Sequence, residues 1–153
     1  MALPAEATDS GPIGGLMLSP SGNLYGTTST GGSGGGGTVF ELTSASGGWK
    51  FNTLYALSGQ FGFVDKLVMD AAGNLYGTTP YGGAYAYGSV FKLTFSNGSW
   101  TYTSLHDFCS GGYPCSDGGW PLCSLVLDAN GNLYGTTAIG GTSGFGTVFE
   151  VTQ

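Results

Sequence analysis

The sequence predicts an all-β protein made of three copies of one four-stranded unit, the third copy incomplete. Three observations carry this. The hexapeptide NLYGTT recurs at Asn23, Asn74 and Asn132. Fourteen residues after each of these asparagines come GTVFELT from Gly37, GSVFKLT from Gly88 and GTVFEVT from Gly146. No segment carries the 3.6-residue apolar period of a helix, whereas short runs of alternating or continuous apolar residues recur throughout.

Within each copy four β-prone runs follow in order. The first is LMLS, LVMD or LVLD, a nearly continuous apolar run of the kind that is covered on both faces. The second is NLYGTT, entered through Ser-Gly-Asn, Ala-Gly-Asn or Asn-Gly-Asn, which is tight hairpin chemistry. The third, TVFELT and its equivalents, alternates clearly. The fourth opens on Trp49 or Trp100, six residues past the closing threonine, and alternates apolar with polar residues. The expected strands of copy one are Leu16–Ser19, Leu24–Thr28, Val39–Thr43 and Lys50–Leu57, repeated in register. Leu16, Leu67, Leu125, Leu24, Leu75, Leu133, Val39, Val90 and Val148 hold identical register and are expected to be buried.

The copies are spaced by 51 residues (74 − 23) and 58 residues (132 − 74), and the extra seven lie between Phe108 and Asp128. One loop varies while the rest keeps register, as in repeat architectures. Four antiparallel strands in roughly 50 residues make the blade of a β-propeller. The copies span approximately 1–57, 58–108 and 109–153 of a single repeat domain. GNLYGTT followed by GG and GTVF resembles the Gly-rich GloVer tandem repeat of bacterial surface or secreted proteins. More distantly, D-x-x-G-N-L-Y resembles NHL-type blades. The resemblance covers almost the whole chain and implies a repeat scaffold with no catalytic residues to carry over. Ser19 departs from the pattern, standing where the other copies have Asp70 and Asp128.

Composition bounds the function. Gly supplies 31 residues and charged residues only 8%, yet 41% of the chain is hydrophobic and 14% aromatic, so there is ample surface to bury. The glycines therefore read as turn and close-packing residues. Three lysines, no arginine and a net charge of −6 argue against nucleic acid and against an anionic membrane surface. No apolar run reaches the roughly 18 residues of a membrane span. MALPAEATDS has neither the basic nor the apolar region of a signal peptide. The secreted or cell-surface location implied by the resemblance then requires a targeting segment removed from, or lying outside, this chain.

In a propeller the loops joining runs two and three share a face with those joining one unit to the next. Here that face holds the variable residues. Copy two alone offers Tyr81, Tyr85 and Tyr87, and the long loop after it supplies Tyr113, Asp117 and Trp120. Aromatic platforms beside a carboxylate and backbone amides suit a sugar or peptide. The competing reading packs these aromatics between neighbouring units. Cys109, Cys115 and Cys123 are odd in number, so one disulfide, Cys109–Cys115 or similar, leaves a spare thiol. With His106 they form spacings of 3, 6 and 8, which match no paired zinc pattern, and no metal or cofactor is expected. A Cys–His nucleophile would need a cationic setting that the neighbouring sequence lacks. Asp128-Ala-Asn130-Gly-Asn132 echoes a calcium loop but reads better as an Asx-turn.

The expected function is a non-enzymatic extracellular binding or scaffold module for carbohydrate or peptide. The alternatives are a propeller hydrolase or lyase and a purely structural self-assembling protein, and the fold alone does not choose among them. The strand count also predicts self-association. Met1–Leu3 align with the tail of run four, and no Trp equivalent follows Gln153. Copy three is thus expected to expose Val148, Phe149 and Val151 of its third run as a pairing edge. Two chains would supply six blades, so a homodimer forming a six-bladed ring is favoured.

Overall fold

The computed structural model describes residues 11–12, 14–58 and 66–153, and all of its regular elements are strands. They are β1 (Met17–Leu18), β2 (Leu24–Thr27), β3 (Gly35–Ala45), β4 (Gly48–Ser58), β5 (Val68–Met69) and β6 (Leu75–Thr79). The series continues with β7 (Ser89–Ser96), β8 (Ser99–Asp107), β9 (Val126–Leu127), β10 (Leu133–Thr136) and β11 (Val148–Val151). They form antiparallel sheets in sequence order, β1–β4, β5–β8 and β9–β11. The stub at Met1–Leu3 lies outside the described residues.

The repeated sequence produces repeated contacts. In the first hairpin of each copy the asparagine carbonyl accepts from residue 19, 70 or 128, closing the turn after only two paired residues. That is why the first strand is shorter than its apolar run. In the second hairpin Gly26, Gly77 and Gly135 sit opposite Phe40, Phe91 and Phe149. A Cβ on any of these glycines would come within 2.5–2.7 Å of the phenylalanine Cζ, so the missing side chain is what lets the ring lie across the strand. The second threonine of NLYGTT ties off the following loop. Thr28 and Thr137 accept the N–H of Thr38 and Thr147 at 2.9 Å, and Thr79 bonds Ser89 at 2.9 Å.

Both long hairpins carry a bulge at the same place, between Val39 and Phe40 and between Val90 and Phe91. The extra residue on the partner strand, Leu54 or Leu105, packs against a core cluster.

Alternation sends each sheet's apolar residues to two faces, and the sheets stack through them. Met17, Tyr25, Val39 and Leu57 of the first sheet meet Leu67, Leu75, Phe91 and Leu93 of the second. Tyr76, Val90 and Phe108 on the other face of the second sheet meet Leu125 and Leu133 of the third. Each fully buried leucine contributes about 1.5–3 kcal/mol by leaving water.

Two expectations fail at the ends of this stack. Leu16 is 45% exposed and Val148 82% exposed, while Leu24 is half-buried, although their equivalents in the second sheet are buried. These residues stand on the faces of the first and third sheets that no described sheet covers. Phe149 and Val151 are not exposed as expected, because they turn inward against the second sheet.

Candidate functional site

The loop that lengthens the second spacing is held by its own backbone and by both neighbouring loops. Successive turns place the Gly112 N–H on the Cys109 carbonyl, Cys115 on Gly112 and Gly118 on Cys115, each at 2.9 Å. Cys109 and Cys115 form a disulfide across the first two turns, and Cys123 stays free. Cys123 is engaged elsewhere, its Sγ lying 3.0 Å from the Thr136 N–H and 3.2 Å from the Thr136 carbonyl.

The Asp117 carboxylate accepts the Cys109 N–H at 3.0 and 3.1 Å and lies 3.4 Å from His106 Nε2. The His106 ring also packs edge-on against Phe108, centroids 4.6 Å apart. Asp117 therefore braces the loop from inside. His106 and the three cysteines do not assemble, and no group of three potential metal ligands converges among the described residues.

The same loop is pinned between the β6–β7 and β10–β11 connections. Trp120 donates its N–H to the Tyr87 carbonyl at 2.8 Å, and its own carbonyl accepts from Ala138 at 3.0 Å. Gly119 exchanges bonds with Ile139 at 3.0 and 3.2 Å. Trp120 adopts φ +54°, a left-handed conformation unusual for a bulky side chain and maintained here by these bonds. The indole remains exposed and meets the Tyr81 ring edge-on at 6.3 Å.

Of the six residues singled out on this face, Tyr81 and Trp120 are thus brought together. Tyr85 and Tyr113 are exposed nearby in the chain, Tyr113 at 80%. Tyr87 is half-buried, its side chain against the second core cluster, and offers the site only its carbonyl.

A second feature escaped the sequence reading. A cleft of about 1000 Å³ runs along the first strands of all three sheets, past Leu18, Asp70 and Val126, to Phe95 and Trp100 of the β7–β8 hairpin. Phe95 was its available signal: an aromatic in copy two where copy one has Ser44, and it packs on Trp100 at 5.3 Å. The Asp70 carboxylate beside this cleft is already engaged. Asp70 accepts from the Ala72 and Asn74 amides, the Asn74 side chain and the Tyr76 hydroxyl at 2.7–2.9 Å. Burial pushes its carboxyl upward, but these four bonds outweigh it and hold the pKa below the ordinary aspartate value. Asp128 accepts the equivalent set in copy three, which is the Asx-turn.

The model of the Gloeobacter/Verrucomicrobia repeat family matches residues 3–153, and the chain belongs to that family. No curated protein matches the chain.

Proposed function

We propose that this member of the Gloeobacter/Verrucomicrobia repeat family is a non-enzymatic, secreted or cell-surface β-propeller module that binds carbohydrate or peptide on its variable loop face. The observation that carries this reading is the exposed Trp120–Tyr81 pair, mounted on a loop whose backbone is bonded to both neighbouring loops. Aromatic faces of this kind supply contact area with little side-chain entropy to lose, and a braced backbone reduces the ordering cost of binding. Tyr85 and Tyr113 are exposed on the same two loops. The disulfide suits an oxidising, extracellular setting. Sequential antiparallel sheets of four, four and three strands, packed through their apolar faces, support the blade reading.

A glycan array and a peptide library screened with the chain test the proposal. Saturable binding is expected, with at least tenfold loss in Trp120→Ala and Tyr81→Ala while the thermal transition is retained. Binding lost instead in Phe95→Ser, and unaffected by Trp120→Ala, would move the site to the strand-lined cleft. Turnover of a bound glycan or peptide would favour the hydrolase or lyase reading.

A further inference from the structure

The chain holds two Asn-Gly pairs, Asn97-Gly98 and Asn130-Gly131, and the fold treats them differently. Its other asparagines precede leucine or threonine, whose side chains hinder approach to the following amide. Asn97 and Gly98 are the two residues that join β7 to β8, whose pairing runs out to Ser96 and Ser99. Their φ values are +52° and +82°, as both centre positions of a tight hairpin turn require. Both residues are exposed, and a Cβ on Gly98 would meet open space. Among the described residues neither the Asn97 side chain nor the Gly98 N–H has a hydrogen-bond partner. Asn130-Gly131 also lies in an exposed turn, but its amides are tied. The Gly131 N–H donates to the Asp128 carbonyl at 3.2 Å, and the Asn130 N–H donates to Asp128 Oδ1 at 2.9 Å.

We propose that Asn97 is a site of self-modification, converting through a succinimide to isoaspartate and aspartate. The Gly98 nitrogen, its proton passed to water or hydroxide, attacks the Asn97 side-chain carbon Cγ. The new N–Cγ bond forms as the Cγ–Nδ2 bond breaks, and Nδ2 leaves as ammonia after taking a proton from water. Water then opens the five-membered ring. Attack at Cγ gives aspartate, and attack at the main-chain carbonyl carbon gives isoaspartate. No electrons are transferred, and water is the only co-reactant. For the first step the Asn97 backbone must rotate to bring Cγ onto the amide nitrogen. Gly98 has no side chain to oppose this and no bond to surrender, so only the hairpin tip must open. At Gly131 the same approach gives up the bond to Asp128.

The consequence reaches beyond the turn. Isoaspartate inserts a methylene into the main chain between Ser96 and Ser99 and leaves a carboxylate beside it. A two-residue turn built on positive φ at both centres does not accommodate an added main-chain atom. The next cross-strand pair inward is Phe95 with Trp100, whose rings lie 5.3 Å apart and line the cleft along the first strands. The modification loosens that pair and adds negative charge to a chain already at −6. It does not depend on the carbohydrate or peptide reading.

The test is to incubate the chain in mildly alkaline buffer, folded and in parallel unfolded in urea, and to map the products by peptide mass spectrometry. In the folded chain residue 97 is expected to show the amide-to-acid mass gain about tenfold faster than residue 130, the protection expected of one hydrogen bond. In urea the two sites are expected to react at similar rates. An isoaspartyl methyltransferase supplied with S-adenosylmethionine should label the aged folded chain at residue 97. Asn97→Gly keeps a residue suited to the turn but has no amide, and should not be labelled there. Tryptophan emission should change in the isoaspartyl fraction and not in Asn97→Asp, which carries the charge without the added methylene. Residue 130 reacting as fast as residue 97 in the folded chain overturns the proposal, as does residue 97 reacting no faster than the asparagines that precede leucine. A preference for residue 97 that is as large in urea overturns the role given to the fold. Unchanged emission in the isoaspartyl fraction overturns the coupling to Phe95 and Trp100.

Discussion

The Tyr25 hydroxyl donates to Glu41 Oε1 at 2.8 Å, and the same oxygen accepts Asn23 Nδ2 at 2.8 Å. In copies two and three the equivalent tyrosine and asparagine turn to the aspartate of the first hairpin, Asp70 or Asp128. Ser19 replaces that aspartate in copy one. Its Oγ still accepts the Asn23 N–H at 3.1 Å, but it leaves the tyrosine and the asparagine side chain without their carboxylate. Glu41 supplies one from across the β2–β3 pair. Copy three has both, and the Tyr134 hydroxyl bonds Asp128 at 3.3 Å and Glu150 at 3.0 Å. In copy two Lys92 takes the glutamate's place and lies 5.3 Å over the Tyr76 ring.

Glu41→Ala therefore leaves the buried end of Tyr25 without its acceptor and is expected to destabilise the chain by about 1–3 kcal/mol. Ser19→Asp restores the arrangement of the other copies. In the Glu41→Ala background it is expected to recover most of that loss, measured by urea denaturation. No recovery would show that Glu41 acts through packing alone.

Burial, the Glu41 hydrogen bond and its negative charge push Tyr25 up to about 12, and burial with Asp70 does the same for Tyr76. A tyrosine whose folded pKa is raised keeps its proton while the unfolded chain, near 10, loses it. Its stabilising contribution is complete below about pH 10 and disappears as the pH rises toward about 12. Tyrosinate absorbance should show a late-titrating fraction to which Tyr102 and Tyr134, also raised, contribute, and which shrinks in Tyr25→Phe and in Tyr76→Phe.

At the acid end the sign reverses. The folded-state pKa of Asp70 lies below the ordinary value, so its contribution is present above about pH 4 and is lost as the pH falls through the folded value. Asp70→Asn is expected to flatten the acid limb of the stability profile between pH 5 and 2, a range of about three units. An unchanged limb would show that the turn carboxylate does not couple to folding.

Leu75→Ala and Leu133→Ala remove fully buried side chains between sheets and should each cost about 2–4 kcal/mol. Val148→Ala, measured on dilute protein, should change stability by no more than about 0.5 kcal/mol. Similar losses at all three positions would contradict the packing described.

Gly37 adopts φ +96°, and a Cβ there would collide with the Thr28 carbonyl. Gly37→Ala is expected to cost more than about 1 kcal/mol and to loosen the β2–β3 connection, seen as faster amide exchange at Thr38. Gly22 also has positive φ but faces open space, so Gly22→Ala should meet conformational strain alone and cost less.

Much of the fold was legible because its determinants are short-range. NLYGTT, the Gly-Asn turns and the Gly–Phe cross-strand pairs act within a hairpin, and the constant 14-residue step from Asn23, Asn74 and Asn132 to Gly37, Gly88 and Gly146 exposed their common register. The site was legible only in part. Tyr81 and Trp120 stood out as aromatics in variable loops. That Trp120 would bond the Tyr87 carbonyl depends on two loops meeting whose bonded residues are 33 apart in sequence (120 − 87). That Asp117 would turn inward to the Cys109 amide depends on how a disulfide-closed loop folds. The cleft was not legible because the first strands of three separate sheets line it together with Phe95, a juxtaposition that no single repeat specifies.

The sequence by itself determined the strand order, the pairing within each copy and the two-faced apolar pattern, since turn geometry and side-chain alternation suffice for these. Only the tertiary structure decided which of those faces are covered. Leu16 and Leu67, or Val90 and Val148, occupy identical repeat positions, yet one member of each pair is buried and the other open. Burial at these positions belongs to the contact between successive sheets, and a residue's own repeat cannot specify whether a neighbour stands beside it.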